Sequence, residues 1–297
     1  MSAQIINGKD AAAIIRADLK NKISSNNYNE TPCLAVILVG DNDASKIYVR
    51  NKQKVAEEVG IKCNIIELSP SIGENALTEI INELNNDNHT HGIIVQLPLP
   101  DHLNQLKILS LINPAKDVDG FTPFNNGLLA YNSPETLISA TPKGILNLLK
   151  STNIDLSGKH AVIIGRSNIV GKPLSMLLLN NDCTVSVTHS KTQNIESIVK
   201  MADIVITACG QAKMVKSSWI KKGAIVIDVG INRQDGKLCG DVDFDDVKDN
   251  ASFITPVPGG VGPMTVAMLL ANTYEAFCKQ LQNCDSCKCN KNNCHCH

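Results

Sequence analysis

Short runs of branched aliphatic residues recur along the chain with amphipathic stretches between them, and this rhythm constrains the fold more than any other feature. CLAVILVG (33–40), CNIIEL (63–68) and HGIIVQL (91–97) form a first series, with helical patterns over 44–59 and near 74–85. HAVIIG (160–165), CTVSVT (183–188), ADIVITACG (202–210) and AIVIDVG (224–230) form a second. Strands that are apolar throughout and separated by helices belong to parallel sheets covered on both faces. The class is therefore α/β. A turn-rich stretch, DVDGFTPFNNG (117–127), and Thr141-Pro142 separate the two series, which predicts domains over 1–140 and 141–263. A last helix over 264–281 is expected to pack back on the first domain, followed by a Cys/His-rich tail over 282–297 expected to be disordered. With 297 residues and 43% hydrophobic content, the chain can bury two medium cores.

A formal net charge of -1 leaves no basic excess to neutralise phosphates, so a nucleic-acid partner is not expected and the ligand should be small. Membrane association is not expected either. No apolar run approaches the roughly 18 residues needed to span a bilayer, and the N-terminus lacks a signal-like apolar core. A soluble, cytoplasmic protein is expected. Cysteines 33, 63, 183, 209, 239 and 278 are scattered, several within strand-like runs, and read as small buried hydrophobes. The other five crowd into CDSCKCNKNNCHCH.

Several stretches carry chemistry. In DASKIYVRNKQKVAEEVG, Tyr48, Lys52, Val55 and Val59 fall on one helical stripe, which turns a phenol and an ammonium toward the side that the valines mark as inward. Lys52 is either a snorkelling side chain or a lysine at a cleft whose pKa is lowered by desolvation. Gln96 follows Gly92-Ile93-Ile94-Val95 and precedes Leu97-Pro98, at the carboxyl end of a parallel strand where open α/β sheets bind ligands. It could equally bond loop backbone. Asp117 and Asp119 share a turn, where aspartates commonly bond backbone amides and only one need face a ligand. The loop TPVPGGVGPMT (255–265) lets backbone approach a flat ligand while its prolines limit its freedom.

AVIIGRSNIVGKP (161–173) has the strand, turn and helix of a dinucleotide site, but Ser167 and Val170 stand where the G-x-G-x-x-G fingerprint has its later glycines. The helix start offers N–H groups to a phosphate. The next strand ends in His189-Ser190-Lys191-Thr192, without the carboxylate that would hold a ribose 2'-hydroxyl, and Arg166 lies in the first turn. Hydroxyl and cation in place of an acid suit a 2'-phosphate, so NADP is expected over NAD.

Together, YVRNKQK (48–54), GIIVQLPLP (92–100), KDVDGF (116–121), TPKG (141–144), GRSNIVGKP (165–173), HSKT (189–192), GAIVIDVGIN (223–232), GDVDF (240–244) and TPVPGGVGPMT (255–265) resemble the bifunctional methylenetetrahydrofolate dehydrogenase/methenyltetrahydrofolate cyclohydrolase family. The resemblance runs from the first residues to about Leu281. It implies an N-terminal α/β folate-binding domain, a Rossmann-like NADP domain, an active site in the cleft between them and a homodimer. The implied reactions are NADP-dependent oxidation of 5,10-methylenetetrahydrofolate and hydrolysis of the methenyl product to 10-formyltetrahydrofolate. Lys52 is then the catalytic lysine, with Tyr48 orienting the folate, Gln96 bonding near Lys52, Asp119 binding the pterin and Pro263 bordering the folate. Gly165, Arg166, Ser167, Ser190 and Ile231 become the cofactor positions. Ala140 stands where many members carry cysteine, so no thiol is needed there.

The tail lies beyond the family pattern. Cys284, Cys287, Cys289, Cys294 and Cys296 could ligate a soft metal, though the implied chemistry requires none and no scaffold sets their geometry. A dehydrogenase-only relative is the alternative enzyme, and a metal-binding protein working through the tail is the alternative from another class.

Overall fold

The computed structural model describes residues 2–26, 28 and 30–288, with side chains described as far as Gln282. The chain divides into two compact units. Among the described residues, those of 16–125 with 269–288 form one; those of 2–15 with 126–268 form the other. The chain opens with β1 (Gln4–Ile5) and α1 (Gly8–Ser24).

The unit built on residues 16–125 holds β2 (Cys33–Val39), α2 (Asp43–Val59), β3 (Lys62–Leu68), α3 (Glu74–Asn86), β4 (Gly92–Val95) and the short α4 (Gln105–Ser110). Every residue of β2 is buried, as its unbroken apolar sequence demands. It pairs parallel with β3 on one side and β4 on the other, giving the order β3-β2-β4. The core beneath α3 combines Ile37, Val39, Leu77, Ile81, Ile93 and Ile108. α2 starts where the Asn42 side chain accepts the Ser45 N–H and ends where the Gly60 N–H reaches the Ala56 and Glu57 carbonyls.

The second unit continues with α5 (Pro123–Ala130), which straddles the division, then α6 (Ala140–Lys150), β5 (His160–Ile164), α7 (Gly171–Leu179), β6 (Thr184–Thr188), α8 (Ile195–Val199), β7 (Ile204–Thr207) and β8 (Ile225–Asp228). A hairpin, β9 (Asn232–Gln234) and β10 (Lys237–Cys239), precedes α9 (Phe244–Val247), β11 (Phe253–Ile254) and α10 (Val261–Lys288). Its main sheet runs β1-β11-β8-β7-β5-β6 with every pair parallel. The division differs from the expected break at 140. Residues 1–15 join the later unit because β1 extends its sheet beside β11, and 126–140 join it as the Asn180 amide bonds the Leu129 carbonyl. From Leu269, α10 groups with the first unit, where Asn272 donates to the Val118 carbonyl and Gln280 to that of His91. No helix among the described residues is long and apolar enough to cross a membrane.

Asp228, at the carboxyl end of β8, ties this sheet to its loops. Only 3% exposed, it accepts from Thr207 Oγ1 (3.1 Å) and from the N–H groups of Gly230 (2.9 Å), Asp241 (3.0 Å) and Val242 (2.8 Å). Its own N–H donates to Thr255 Oγ1 at 2.7 Å. Burial pushes its carboxyl up to about 6 although three backbone donors favour the charge. Asp228→Ala strands those donors in a dry site and is expected to lower unfolding stability by about 3 kcal/mol in a denaturant titration.

Candidate active site

In each unit the strand order reverses direction beside a central strand: β2 lies between β3 and β4, and β5 between β6 and β7. Crevices open at the carboxyl ends of such strands because the following connections leave in opposite directions. Tyr48, Lys52, Gln96 and Asp119 gather at the first of these places, and Gly165, Arg166 and Ser190 at the second.

In the first unit, the α2 face that turns inward carries Ser45, Val49, Lys52, Ala56 and Val59. It is centred slightly away from the predicted stripe, so Tyr48 and Val55 flank it as partly buried residues. Lys52 is only 5% exposed, which removes the snorkelling reading. Its Nζ donates to Gln96 Oε1 at 3.2 Å and lies 4.7 Å from the centre of the Tyr48 ring. The Gln96 amide is oriented for this, since its Nε2 donates to the Leu97 carbonyl at 2.7 Å and leaves Oε1 for the ammonium. Gln96 stays in the sheet through its N–H, bonded to the Ile37 carbonyl at 2.8 Å.

The two aspartates of the 116–120 turn have separate tasks. Asp117, 1% exposed, accepts from the N–H groups of Phe121 (3.1 Å) and Thr122 (2.8 Å) and from the Asn125 amide (2.9 Å), so it builds the turn. Asp119 acts on Lys52. Burial raises the Asp119 carboxyl while the Lys52 charge lowers it. Burial likewise holds Lys52 below the ordinary lysine range, opposed by Asp119 and by the Cys63 thiol. Tyr48 is pushed up to about 12 by burial and then by Asp119, so its phenol stays protonated and hydrogen-bond competent. Tyr48, Lys52, Gln96 and Asp119 thus form one cluster: a buried amine held below the ordinary lysine range, beside a carboxylate, an amide and a protonated phenol.

In the second unit, a cavity of about 470 Å³ lies at the ends of β5, β6 and β7, lined by Gly165, Arg166, His189, Ser190, Ala208 and Cys209 among others. Gly165 has φ +129, and a Cβ there would strike the Ala208 carbonyl oxygen. A Cβ on Gly171 would strike the Gly165 carbonyl, so the displaced glycine restores the close packing that the fingerprint obtains from its own spacing. Arg166 and Ser190 share the cavity, as their pairing predicts. Ser167 is exposed at the start of α7, where its Oγ accepts from the N–H groups of Val170 (3.2 Å) and Gly171 (3.4 Å) and keeps its own proton to donate. Ile231, 66% exposed, does not line this cavity. Pro263 sits partly buried in the first turn of α10.

Cys209, read from the sequence as structural, does line the cavity, together with Gln211 and Met214. The available signal was positional, since ADIVITACG supplies the strand that must lie beside HAVIIG once the order reverses. Among the described residues no group of His, Cys, Asp and Glu could hold a metal ion. Cys289, Cys294 and Cys296 lie outside the described residues, and Cys284 and Cys287 lie beyond the last described side chain.

Fold and site together define a two-unit α/β protein with a dinucleotide-type crevice in one unit and a buried lysine cluster in the other. Residues 6–119 match the family model for the tetrahydrofolate dehydrogenase/cyclohydrolase catalytic domain, and 139–281 that for the NAD(P)-binding domain of the same family. The chain belongs to the tetrahydrofolate dehydrogenase/cyclohydrolase family. It is 53% identical over 275 residues to the bifunctional protein FolD of Listeria innocua, covering 92% of this chain and 96% of that one. The crystal structure of the Campylobacter jejuni bifunctional FolD superposes with a TM-score of 0.93 at 48% identity, covering 94% of this chain and all of the other. The Trypanosoma brucei enzyme, solved with NADP cofactor and an inhibitor, gives 0.90 at 38% identity, covering 95% and 99%. The segment 282–297 extends past both family matches.

The Asp119 charge is the main influence that raises Lys52 against burial, so Asp119→Asn is expected to move the Lys52 titration to lower pH. The measurement is the pH dependence of the Lys52 Cε resonance in labelled protein; an unchanged or alkaline-shifted midpoint would contradict the coupling.

Proposed function

We propose that this chain carries out both reactions of its family, oxidising 5,10-methylenetetrahydrofolate with NADP and hydrolysing the methenyl product to 10-formyltetrahydrofolate. The observation that carries this reading is the buried Lys52, bonded to Gln96, faced by the Tyr48 ring and coupled to Asp119. In this reading Tyr48, Gln96 and Asp119 orient the pterin and Pro263 borders it, while Lys52 handles the proton of the hydrolytic step. The methenyl substrate is a cation, so a charged lysine beside it is disfavoured both by desolvation and by like charge. A neutral Lys52 can take a proton from the attacking water.

The residues of the second unit fit NADP. The cavity at the end of β5 is free of a side chain at Gly165, and Arg166 and Ser190 supply a cation and a hydroxyl for a 2'-phosphate. Ser167 contributes by holding the start of α7 in place, and Ile231 would contact the cofactor from the segment after β8. When bound, NADP supplies the acceptor for the hydride leaving the methylene carbon; the protein contributes orientation and exclusion of water.

Two further placements belong to this reading. A homodimer is supported by the exposed edge strand β6, whose Val187 is 39% exposed, and by the exposed apolar side chains of Met176 and Leu179 on α7. A cytoplasmic setting is supported by the unpaired thiols of Cys33, Cys63, Cys183, Cys209, Cys239 and Cys278.

Lys52→Met is expected to abolish hydrolysis of methenyltetrahydrofolate while leaving NADP affinity within about threefold, well below the tenfold that 1.4 kcal/mol would produce. The sign of its pH dependence comes from the protonation state. A base with a depressed pKa is active above that pKa, so cyclohydrolase kcat rises with pH through the Lys52 titration and falls below it. In Asp119→Asn this limb moves acidward. Arg166→Ala is expected to weaken NADP by tenfold or more, on the order of 1.4 kcal/mol, with a much smaller change for NAD. Equal losses for both cofactors would overturn the assignment of Arg166.

A further inference from the structure

Asp241 is not among the residues proposed above to touch substrate or cofactor, yet its carboxylate accepts four hydrogen bonds beside the β5–β7 cavity. It is fully buried, in the GDVDF stretch that comes after the β9–β10 hairpin. Its Oδ2 accepts from the N–H groups of Cys209 (2.8 Å) and Gly210 (3.1 Å) and from the Cys209 thiol (3.3 Å). Oδ1 accepts from the Asn232 side-chain amide at 2.9 Å. The Asp241 backbone is held in turn, its N–H donating to Asp228 Oδ1 at 3.0 Å and its carbonyl accepting from Val215 at 3.0 Å.

These partners come from two separate segments. Cys209 belongs to the turn after β7 that lines the cavity with Ala208 and Gln211, whereas Asn232 directly succeeds Ile231 in the segment after β8. The last sheet bond here runs from the Val229 N–H to the Thr207 carbonyl at 2.9 Å, just past the final β7–β8 pair, and the Asp241 carboxylate joins the segments beyond it. One carboxylate bridges them. It is anchored through Asp228, which also bonds Thr255 at the entry to the TPVPGG loop. A carboxylate suits this place because it accepts at both oxygens and donates at neither. The Cys209 thiol, pushed up to about 12 by burial and by the Asp241 charge, stays protonated and keeps its bond.

We infer that Asp241 is a positioning residue for the dehydrogenase step, clasping the turn after β7 to the segment after β8 so that Cys209 and Ile231 are held in register for the cofactor. The inference rests on the reading of the β5–β7 cavity as the NADP site. It separates the two activities, because Lys52, Tyr48, Gln96 and Asp119 belong to the other unit.

The test exploits the polarity of the Asp241–Asn232 pair. In Asp241→Asn the side chain loses its charge and one of its two acceptor oxygens, so the bonds from Cys209 and Gly210 become neutral and the Asn232 amide must turn over to meet the new NH2. The KM for NADP is expected to rise about tenfold or more, the effect of roughly one charge-assisted hydrogen bond, while kcat for hydrolysis of methenyltetrahydrofolate changes less than about twofold. Adding Asn232→Asp restores a charge-assisted pair with its polarity reversed and is expected to return most of the NADP affinity. Should Asp241→Asn fail to fold, Asn232→Ala removes only the side-chain donor and should raise the same KM. A parallel loss of both activities with no rescue by the swapped pair, or an unchanged KM in Asp241→Asn and Asn232→Ala, would overturn the clasp. Arg166→Ala measured alongside separates the two ideas: if it leaves NADP binding unchanged, the cavity reading fails; if it weakens NADP while the clasp variants do not, only the clasp fails.

Discussion

Parallel pairing around β2 and β5 governs where everything else in the molecule can go. Each is a central strand with its sequence successor on one side and a later strand on the other. A parallel connection must return to the same end of the sheet before the next strand begins, so loops collect at the carboxyl ends and part where the order reverses. Lys52, Gln96 and the 116–120 turn meet at one such place, and Gly165, Ser190 and Cys209 at the other. The apolar strands form rigid floors, and the chemistry is carried by the loops and helix ends that leave them.

Electrostatics give the first of these places its character. Burying Lys52 costs free energy that a single amide acceptor does not fully offset, and the protein leaves the amine poised below its ordinary range. Asp119 moderates this, being itself raised by burial and lowered by the lysine. Burial disfavours the charged form of each, and the charge of each opposes the shift of the other. Asp117, two residues earlier, has no such freedom because its oxygens are occupied by the turn it builds.

The carboxyl ends of β7 and β8 show a different use of aspartate. Asp228 and Asp241 are consumed by backbone and side-chain donors, and their value lies in geometry. Motifs that resemble a family in sequence, GAIVIDVGIN and GDVDF, prove to be two halves of one hydrogen-bonded assembly. Periodicity does not reveal such a link, since the β9–β10 hairpin separates the two motifs along the chain.

Local pattern and steric rules along short stretches of chain were enough for the α/β class, the strands, the helix carrying Tyr48 and Lys52, and the turn at Gly165. They also placed Gln96 at a strand end, and the family resemblance pointed to Tyr48, Gln96 and Asp119 around Lys52 and to Gly165, Arg166 and Ser190, which line the β5–β7 cavity. Folding in three dimensions was needed to bring β1 into the later sheet, to centre the inward face of α2 on Lys52, to divide the labour of Asp117 and Asp119, and to set Ser167 Oγ on the N–H groups at the start of α7. The same holds for Asp241, whose partners lie 9, 31 and 32 residues away in the chain. Burial and hydrogen-bond partnership are properties of contacts between distant segments. Composition and spacing record which residues can make such contacts; the packed fold selects which ones do.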